Sequence, residues 1–246
     1  MSQPPHLTVV GRAEPASIRN RLLAALSEQD LDLVRPHLSR VELQRGDVMA
    51  EPNKPIEHVY FPEEAIGSVV AITPEGRRIE VGIFGRDGMS ATSLLLGSDR
   101  SPHQSFTQVP GSALHMSAEH LRDVVRQSPS LHGLLLRYIE AFNVQVAHTA
   151  LSHGSYTIEE RLARWLLMCH DRLDGDDLAL THDFLGVMLG VRRSGVTLSL
   201  HMLEGAGMIR AKRGVITVLN RERLEEVAGG GYGVPEAEYR RLIGDF

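Results

Sequence analysis

Apolar positions along this chain change period along its length, and each change marks a different kind of element. Ile18, Leu22, Leu23 and Leu26 recur at helical spacing, and Ser27 is placed to cap a second short helix carrying Leu31 and Val34, limited by Pro36. From Val41 to about Ser117 the period falls to two. Val41-Glu42-Leu43, Val59-Tyr60-Phe61, Ser68 to Ile72 and part of Arg78 to Ile83 alternate. Arg45-Gly46-Asp47, Pro52-Asn53, Pro74-Glu75-Gly76, Asp87-Gly88 and Pro110-Gly111 separate them. Short strands at regular spacing predict a β-roll or sandwich, with Pro74 to Arg77 as the tip of a hairpin.

Helical spacing returns after Ser117, which can cap a short helix with Leu121, Val124 and Val125 on its apolar side. A longer helix begins around Ser130. Leu131, Leu135, Tyr138, Phe142, Gln145 and Thr149 are separated alternately by four and three, which is a heptad seam. The seam predicts a two-fold dimer with Leu131, Leu135, Tyr138 and Phe142 at its interface; an ordinary core-facing helix is the alternative. Gly154 is expected to end this helix. Thr157 can cap the next, where Leu162, Trp165, Leu166 and Cys169 share a stripe and Trp165 reads as a core anchor.

The most informative stretch is Thr181 to Leu219. Phe184, Leu185, Met188 and Leu189 form one short helix capped by Thr181, and Gly190 allows a sharp turn. A second helix follows from about Arg192, with Val196, Leu200 and Leu203 inward, and Gly205 and Gly207 end it. Met208 to Arg210 and Val215 to Leu219 are β-rich runs around the basic tip Lys212-Arg213-Gly214. Beyond them, Leu224 and Val227 predict a further short helix, the Gly229-Gly230-Gly231 run breaks it, and Pro235 to Leu242 reads as a terminal amphipathic helix.

Charge sharpens this picture. Arg192, Arg193, Arg210, Lys212 and Arg213 face only Asp183 and Glu204 in this stretch, within a chain of net charge −5. A basic island on an acidic protein is the footprint of phosphate binding, so double-stranded DNA is the expected partner.

These residues carry a resemblance. Glu159 to Met168 (EERLARWLLM), Leu180 to Thr197 (LTHDFLGVMLGVRRSGVT) and Leu203 to Arg210 (LEGAGMIR) resemble the C-terminal domain of the Crp/Fnr family of bacterial transcription regulators. The β-rich half and the long helix fall in the family's order, and the resemblance spans roughly residues 20 to 228. It implies an α+β chain: an N-terminal roll resembling a cyclic-nucleotide-binding domain, a long dimerisation helix and a C-terminal winged helix-turn-helix. The expected boundaries are a disordered N-terminus over 1–13, the sensor roll over 14–128, the dimerisation helix over 129–154 and the DNA-binding domain over 155–246. A homodimer is implied, with RNA polymerase as a partner if the protein is an activator.

The resemblance also assigns roles. Arg193 aligns with the family arginine that forks onto guanine O6 and N7. Ser194 stands where a glutamate is common and Leu198 where a further arginine is expected, so the familiar operator does not carry over. Arg193 is the expected base reader, with Ser194 and Thr197 making weaker contacts, and Arg192, Arg210, Lys212 and Arg213 are expected on phosphates. Thr181 joins this DNA-binding set. In the roll, the family grips a cyclic nucleotide with a Gly-Glu pair on the ribose and an Arg-Ser or Arg-Thr pair on the phosphate. The corresponding segment Gly85 to Ala91 places Ser90-Ala91 where Gly-Glu belongs. Downstream, Arg100-Ser101 is followed by Pro102, and His103-Gln104 fits the alignment about as well. Regulation without cyclic AMP is therefore expected, and Arg77 and Arg78 read as a solvated hairpin face.

Other chemistry finds little support. The lone Cys169 excludes an intramolecular disulfide and any cysteine-held iron–sulfur cluster, and reads as a small buried hydrophobe ahead of a redox switch. Twelve histidines form no metal-binding spacing, and no nucleophile or Walker motif occurs. No catalytic residue, metal or cofactor is expected. The N-terminus lacks a signal-peptide pattern and no apolar run is long enough to span a bilayer, so a cytoplasmic protein is expected. Two alternatives stay open: an effector-controlled regulator whose roll takes a cyclic nucleotide or other small molecule, and a non-DNA signalling module with a vestigial helix-turn-helix.

Overall fold

Alternation in the N-terminal half builds two four-stranded antiparallel sheets facing each other, described here from a computed structural model that covers residues 8–12 and 18–245. The order is β1 (Thr8–Arg12), α1 (Arg21–Ala24), α2 (Glu28–Val34), β2 (Ser39–Leu43), β3 (Val48–Ala50), β4 (His58–Pro62), β5 (Ile66–Ile72), β6 (Arg78–Phe84), β7 (Gln104–Val109) and β8 (Gly111–Ser117). One sheet runs β1-β2-β8-β4 and the other β3-β7-β5-β6. Gly76, at φ 83°, closes the β5–β6 hairpin at the expected tip.

Part of the N-terminal stretch expected to be disordered is ordered. Thr8–Arg12 pair antiparallel with β2, because the edge of that strand offers backbone groups that the stretch can satisfy. Residues 1–7 and 13 of that expectation lie outside the described residues.

The C-terminal half is helical: α3 (Ala118–Gln127), α4 (Pro129–Ser155), α5 (Ile158–His170), β9 (Asp177–Leu178), α6 (His182–Leu189), α7 (Arg193–Gly205), β10 (Ile209–Lys212), β11 (Val215–Val218), α8 (Arg221–Ala228) and α9 (Val234–Leu242). Caps follow the sequence. Ser117, Ser128 and Thr157 each accept a backbone N–H at the start of α3, α4 and α5, and Thr157 with Glu160 completes a capping box. Helix α4 runs through Gly154 and is capped at Tyr156.

The heptad seam on α4 does not face outward. Leu131, Leu135 and Tyr138 are buried within the protomer, in one core with Leu22, Phe61, Leu114 and Leu121, and Phe142 packs against it half-buried. A Cβ at Gly88 would collide with the Tyr138 ring, so that ring is seated against the roll. Gln145 accepts from the Ile83 backbone N–H at 2.8 Å. The roll and α9 cover Leu131, Leu135 and Tyr138, which corrects the expectation that these three would be free for a dimer interface, whereas Phe142 is only half-buried. Alternation by four and three describes any helix face that is buried, and does not say what buries it.

The terminal helix α9 returns to the roll. Tyr239 is buried in the same core and its hydroxyl donates to the Asp87 carbonyl at 2.7 Å, while Arg137 of α4 donates to the Leu242 carbonyl at 2.9 Å.

Candidate nucleic-acid interface

Short helices α6 and α7 meet at a turn made by Gly190, whose φ of 62° is left-handed and favours glycine. Gly186 lets the turn close, since a Cβ there would lie 3.1 Å from the Val191 carbonyl oxygen. Thr181 caps α6 by accepting from the Phe184 N–H at 3.4 Å, so its hydroxyl serves the helix start.

Helix α7 is two-sided. Val196, Ser199, Leu200 and Leu203 are buried, and Ser199 donates to Glu159 of α5 at 3.1 Å. Arg192 is the N-cap residue and Arg193 the first helical residue; both are exposed, as is Ser194. Thr197 is half-buried and its hydroxyl donates back to the Arg193 carbonyl at 3.1 Å. A Thr197 contact to a base would therefore be made chiefly by its methyl group. Leu198 is 61% exposed and Met202 is 56% exposed, on the same side as Ser194.

The wing follows directly. Strands β10 and β11 pair with Ile209 opposite Val218 and Lys212 opposite Val215, which leaves Arg213-Gly214 as a two-residue turn with Gly214 at φ 79°. Ile209, Ile216 and Val218 are buried beneath it, whereas Arg210, Lys212 and Arg213 are exposed. β9 adds a third strand through Asp177 and Leu178. The expected set of Arg192, Arg193, Ser194, Arg210, Lys212 and Arg213 thus lies on exposed surface of two consecutive elements.

The roll presents a different kind of site. A cavity of about 230 Å³ lies between its strands, the turn after Ala91 and α4, lined by Val69, Val81, Ile139, Phe142 and Val146 with Thr92, Ser93, Ser101 and Ser105. Neither a carboxylate nor a guanidinium is part of this lining. Ser90 is buried and its hydroxyl accepts from the Tyr60 N–H at 2.9 Å, so it faces the fold. Ala91 has a left-handed φ of 58°, a conformation that costs a non-glycine residue roughly 1–2 kcal/mol. Arg100 pairs with Asp99 at 2.9 Å, and Gln104 accepts from Arg78. Arg77 and Arg78 are exposed, as their place on the hairpin predicts.

Sequence patterns missed the charged residues that join the roll to the DNA-binding domain. Trp165 is a buried anchor, and its indole N–H donates at 2.7 Å to Glu80 of β6. Glu80 is fully enclosed; burial pushes its carboxyl up to about 7, against the hydrogen bonds from Ser68 and Trp165. Arg172 donates to Asp87 at 2.6 Å with both side chains buried. Burial disfavours the Arg172 charge, but Asp87 and Asp171 more than offset this and leave its pKa raised. Arg86 donates to the Arg172 carbonyl at 2.9 Å and pairs with Asp174 at 2.7 Å. Asp174, held first by Arg86 and then by Arg19, has its pKa lowered to about 2. Cys169 is wholly buried, and burial drives its thiol pKa well up, away from thiolate chemistry.

Among the described residues no cluster of three metal-binding side chains occurs, and no helix is long and apolar enough to cross a membrane.

Comparison with known proteins agrees with this architecture. Residues 40–128 match the model of the cyclic nucleotide-binding domain, and residues 160–227 match that of the Crp-like helix-turn-helix domain. No curated protein matches the chain in sequence. Among solved structures, a putative transcriptional regulator of the Crp/Fnr family from Eubacterium rectale is similar with a TM-score of 0.63 and 18% identity, over 84% of this chain and 97% of that one. FixK2 from Bradyrhizobium japonicum is similar with a TM-score of 0.66 and 17% identity, over 78% of this chain and 98% of that one. The c-di-GMP responsive global regulator CLP of Xanthomonas campestris has a TM-score of 0.60 and 16% identity, over 78% of this chain and 99% of that one. At these identities the likeness is one of fold. With the two domain types in the family's order, joined by a long helix, the chain belongs to the Crp/Fnr family of transcription regulators.

Proposed function

We propose that this chain acts as a homodimer, binds double-stranded DNA sequence-specifically and regulates transcription without cyclic AMP. The observation that carries this reading is the outward face formed by α7 and the wing. Arg192, Arg193 and Ser194 open the helix, and Arg210, Lys212 and Arg213 flank it on the next hairpin, all exposed. In such motifs the first residues of the second helix reach base edges in the major groove, while basic residues around them hold phosphates. Arg193 is the chief base reader in this proposal and Arg192 a phosphate contact.

A dimer follows from the need to place two recognition helices on two half-sites. The face of α4 turned away from the roll supplies the surface: Leu136 and Leu151 are 39% and 47% exposed, and Asn143, Ala147 and Ala150 lie exposed between them. Independence of cyclic AMP is supported by the lining of the roll cavity, which holds no carboxylate and no guanidinium and has His103 as its one titratable side chain. A cyclic phosphate in a half-apolar site needs a paired cation, and a ribose hydroxyl needs an acceptor of matching strength.

A second reading keeps the same DNA-binding face and gives the roll an uncharged effector. The Ser93 hydroxyl, buried without a hydrogen-bond partner beside that cavity, favours it. Calorimetry of the full chain with cyclic AMP should show no binding; saturable heat would overturn independence. For the DNA face, Arg193→Ala should weaken binding to selected sites by about 1–3 kcal/mol and relax preference at one guanine per half-site. An unchanged selected motif would remove Arg193 as reader.

A further inference from the structure

The outward face of α7 carries a large apolar side chain where a DNA-reading helix ordinarily presents polar ones. Successive residues of an α-helix turn by about 100°, so the buried set Val196, Ser199, Leu200 and Leu203 defines one side of α7. The direction opposite that side passes through Ser194, Leu198, His201 and Gly205. All four are exposed. Leu198 is the bulkiest apolar group among them and one turn on from Ser194, with 61% of its surface exposed. Ser194 and Gly205 at the two ends of this line are small, and Leu198 and His201 protrude between them, Leu198 as the apolar one.

An exposed leucine by itself needs no explanation, since folded surfaces contain many apolar atoms. The position of this one is what counts. It lies on the same exposed helix as Arg192 and Arg193, beside a wing whose arginines and lysine are exposed. Whatever this face binds must accept large apolar groups within a basic surface, and of the two exposed there, Leu198 and Met202, Leu198 lies nearer the outward direction and nearer Arg193. B-DNA offers a single apolar group at base edges in its major groove, the C5-methyl of thymine.

We propose that Leu198 is a specificity-determining residue that reads a thymine by packing on its C5-methyl group. This rests on the DNA-binding reading above and deepens it. The thymine lies in each half-site within a few base pairs of the guanine contacted by Arg193, because Leu198 follows Arg193 by little more than one turn, about 7 Å along the axis. Such a contact favours T·A over both C·G and an unmethylated pyrimidine without any hydrogen bond.

The test exchanges one methyl group on the DNA. Sites are selected with the full-length protein, and each thymine of a half-site is then replaced in turn by deoxyuridine, which lacks only that methyl. Wild type and Leu198→Ala are titrated against each duplex, and both proteins are checked by circular dichroism and thermal melting. One thymine per half-site should be sensitive: its replacement should weaken wild-type binding by roughly three- to ten-fold, the scale of one buried methyl and its leucine partner. The same replacement should leave Leu198→Ala unchanged, and that variant should keep its guanine preference. If every deoxyuridine substitution is neutral for wild type, or if the loss persists in Leu198→Ala, the assignment of Leu198 is overturned. Absence of sequence-specific binding by the wild-type protein would overturn the DNA-reading function itself.

Discussion

The junction between the roll and the DNA-binding domain uses the same residue types as the outer face of α7 and its wing, in the opposite way. At the junction, Glu80, Asp87 and Arg172 are buried and hydrogen-bonded to each other's domains through Trp165, the Arg172 guanidinium and the Asp87 carbonyl. On α7 and the wing, Arg192, Arg193, Arg210, Lys212 and Arg213 are exposed. The first set ties two domains together within one protomer; the second is the set proposed to meet DNA. Counting charges along the chain does not separate these two uses, because what distinguishes them is the direction each side chain takes once the domains have docked.

The largest effect should come from breaking the inward set. Asp87→Ala removes the partner of a buried arginine, and stranding such a charge costs about 3–5 kcal/mol. Urea unfolding of the full chain should show a loss of that size. A change below about 1 kcal/mol would mean that the pair is compensated elsewhere. Replacing Arg213 in the outward set should leave the unfolding midpoint where it is.

Helix α4 repeats the comparison within one element. Leu135 is buried against the roll, and Leu151 is about half exposed on the other side. Leu135→Ala should lower stability by about 2–5 kcal/mol through the cavity it leaves. Leu151→Glu should change stability little and shift light scattering toward the monomer mass. A dimer unaffected by Leu151→Glu would remove this face of α4 as the two-fold surface.

Glu80 adds a pH dependence to the junction. Its carboxyl is raised from the ordinary range to about 7, mainly by burial, so the folded state holds this proton more tightly than the unfolded chain. Its contribution is complete below the ordinary carboxylate pKa and is lost as pH rises through about 7. Arg164 and Arg172 lower this pKa and limit the effect. Melting temperature should therefore fall between about pH 5 and pH 8 from this group, by the equivalent of roughly 3 kcal/mol at most. Glu80→Gln, which keeps an acceptor for Trp165, should flatten the profile. An identical slope in the variant would assign the dependence to another group.

How much of this was legible follows from the same contrast. The roll, the caps at Ser117 and Thr157, the turn at Gly190 and the position of the wing hairpin were readable, because period, caps and left-handed glycines are local properties, though Lys212 of the expected tip lies in β10. The basic face of α7 and the wing was readable because exposure there follows from the helix period and from the hairpin turn. The seam on α4 was misread because its cover, the roll and α9, comes from residues far away in sequence. Glu80, Asp87 and Arg172 gave no pattern at all: a charged residue in a strand or at a helix end looks the same whether it meets solvent or a partner 85 residues away. Leu198 was marked by the resemblance as a departure from the family's arginine, but its exposure on the outward side of α7 follows only from the folded helix.

The smallest expected effect concerns the outward set alone. Arg213 lies at the turn of the wing, exposed, with Gly214 supplying the left-handed residue of that turn. In the proposed complex its guanidinium holds a phosphate, a contact that carries no sequence information. Arg213→Ala should weaken binding to every sequence by about the same factor. It should also reduce the slope of log affinity against log salt by about one unit per half-site, the counterion release lost with one phosphate contact. Titrations at three salt concentrations against a selected site and a scrambled one would measure both. Parallel losses on the two duplexes with a shallower slope keep Arg213 among the orienting contacts. A loss confined to the selected site, with the slope unchanged, would make the wing tip a reader of bases and move part of the specificity off α7.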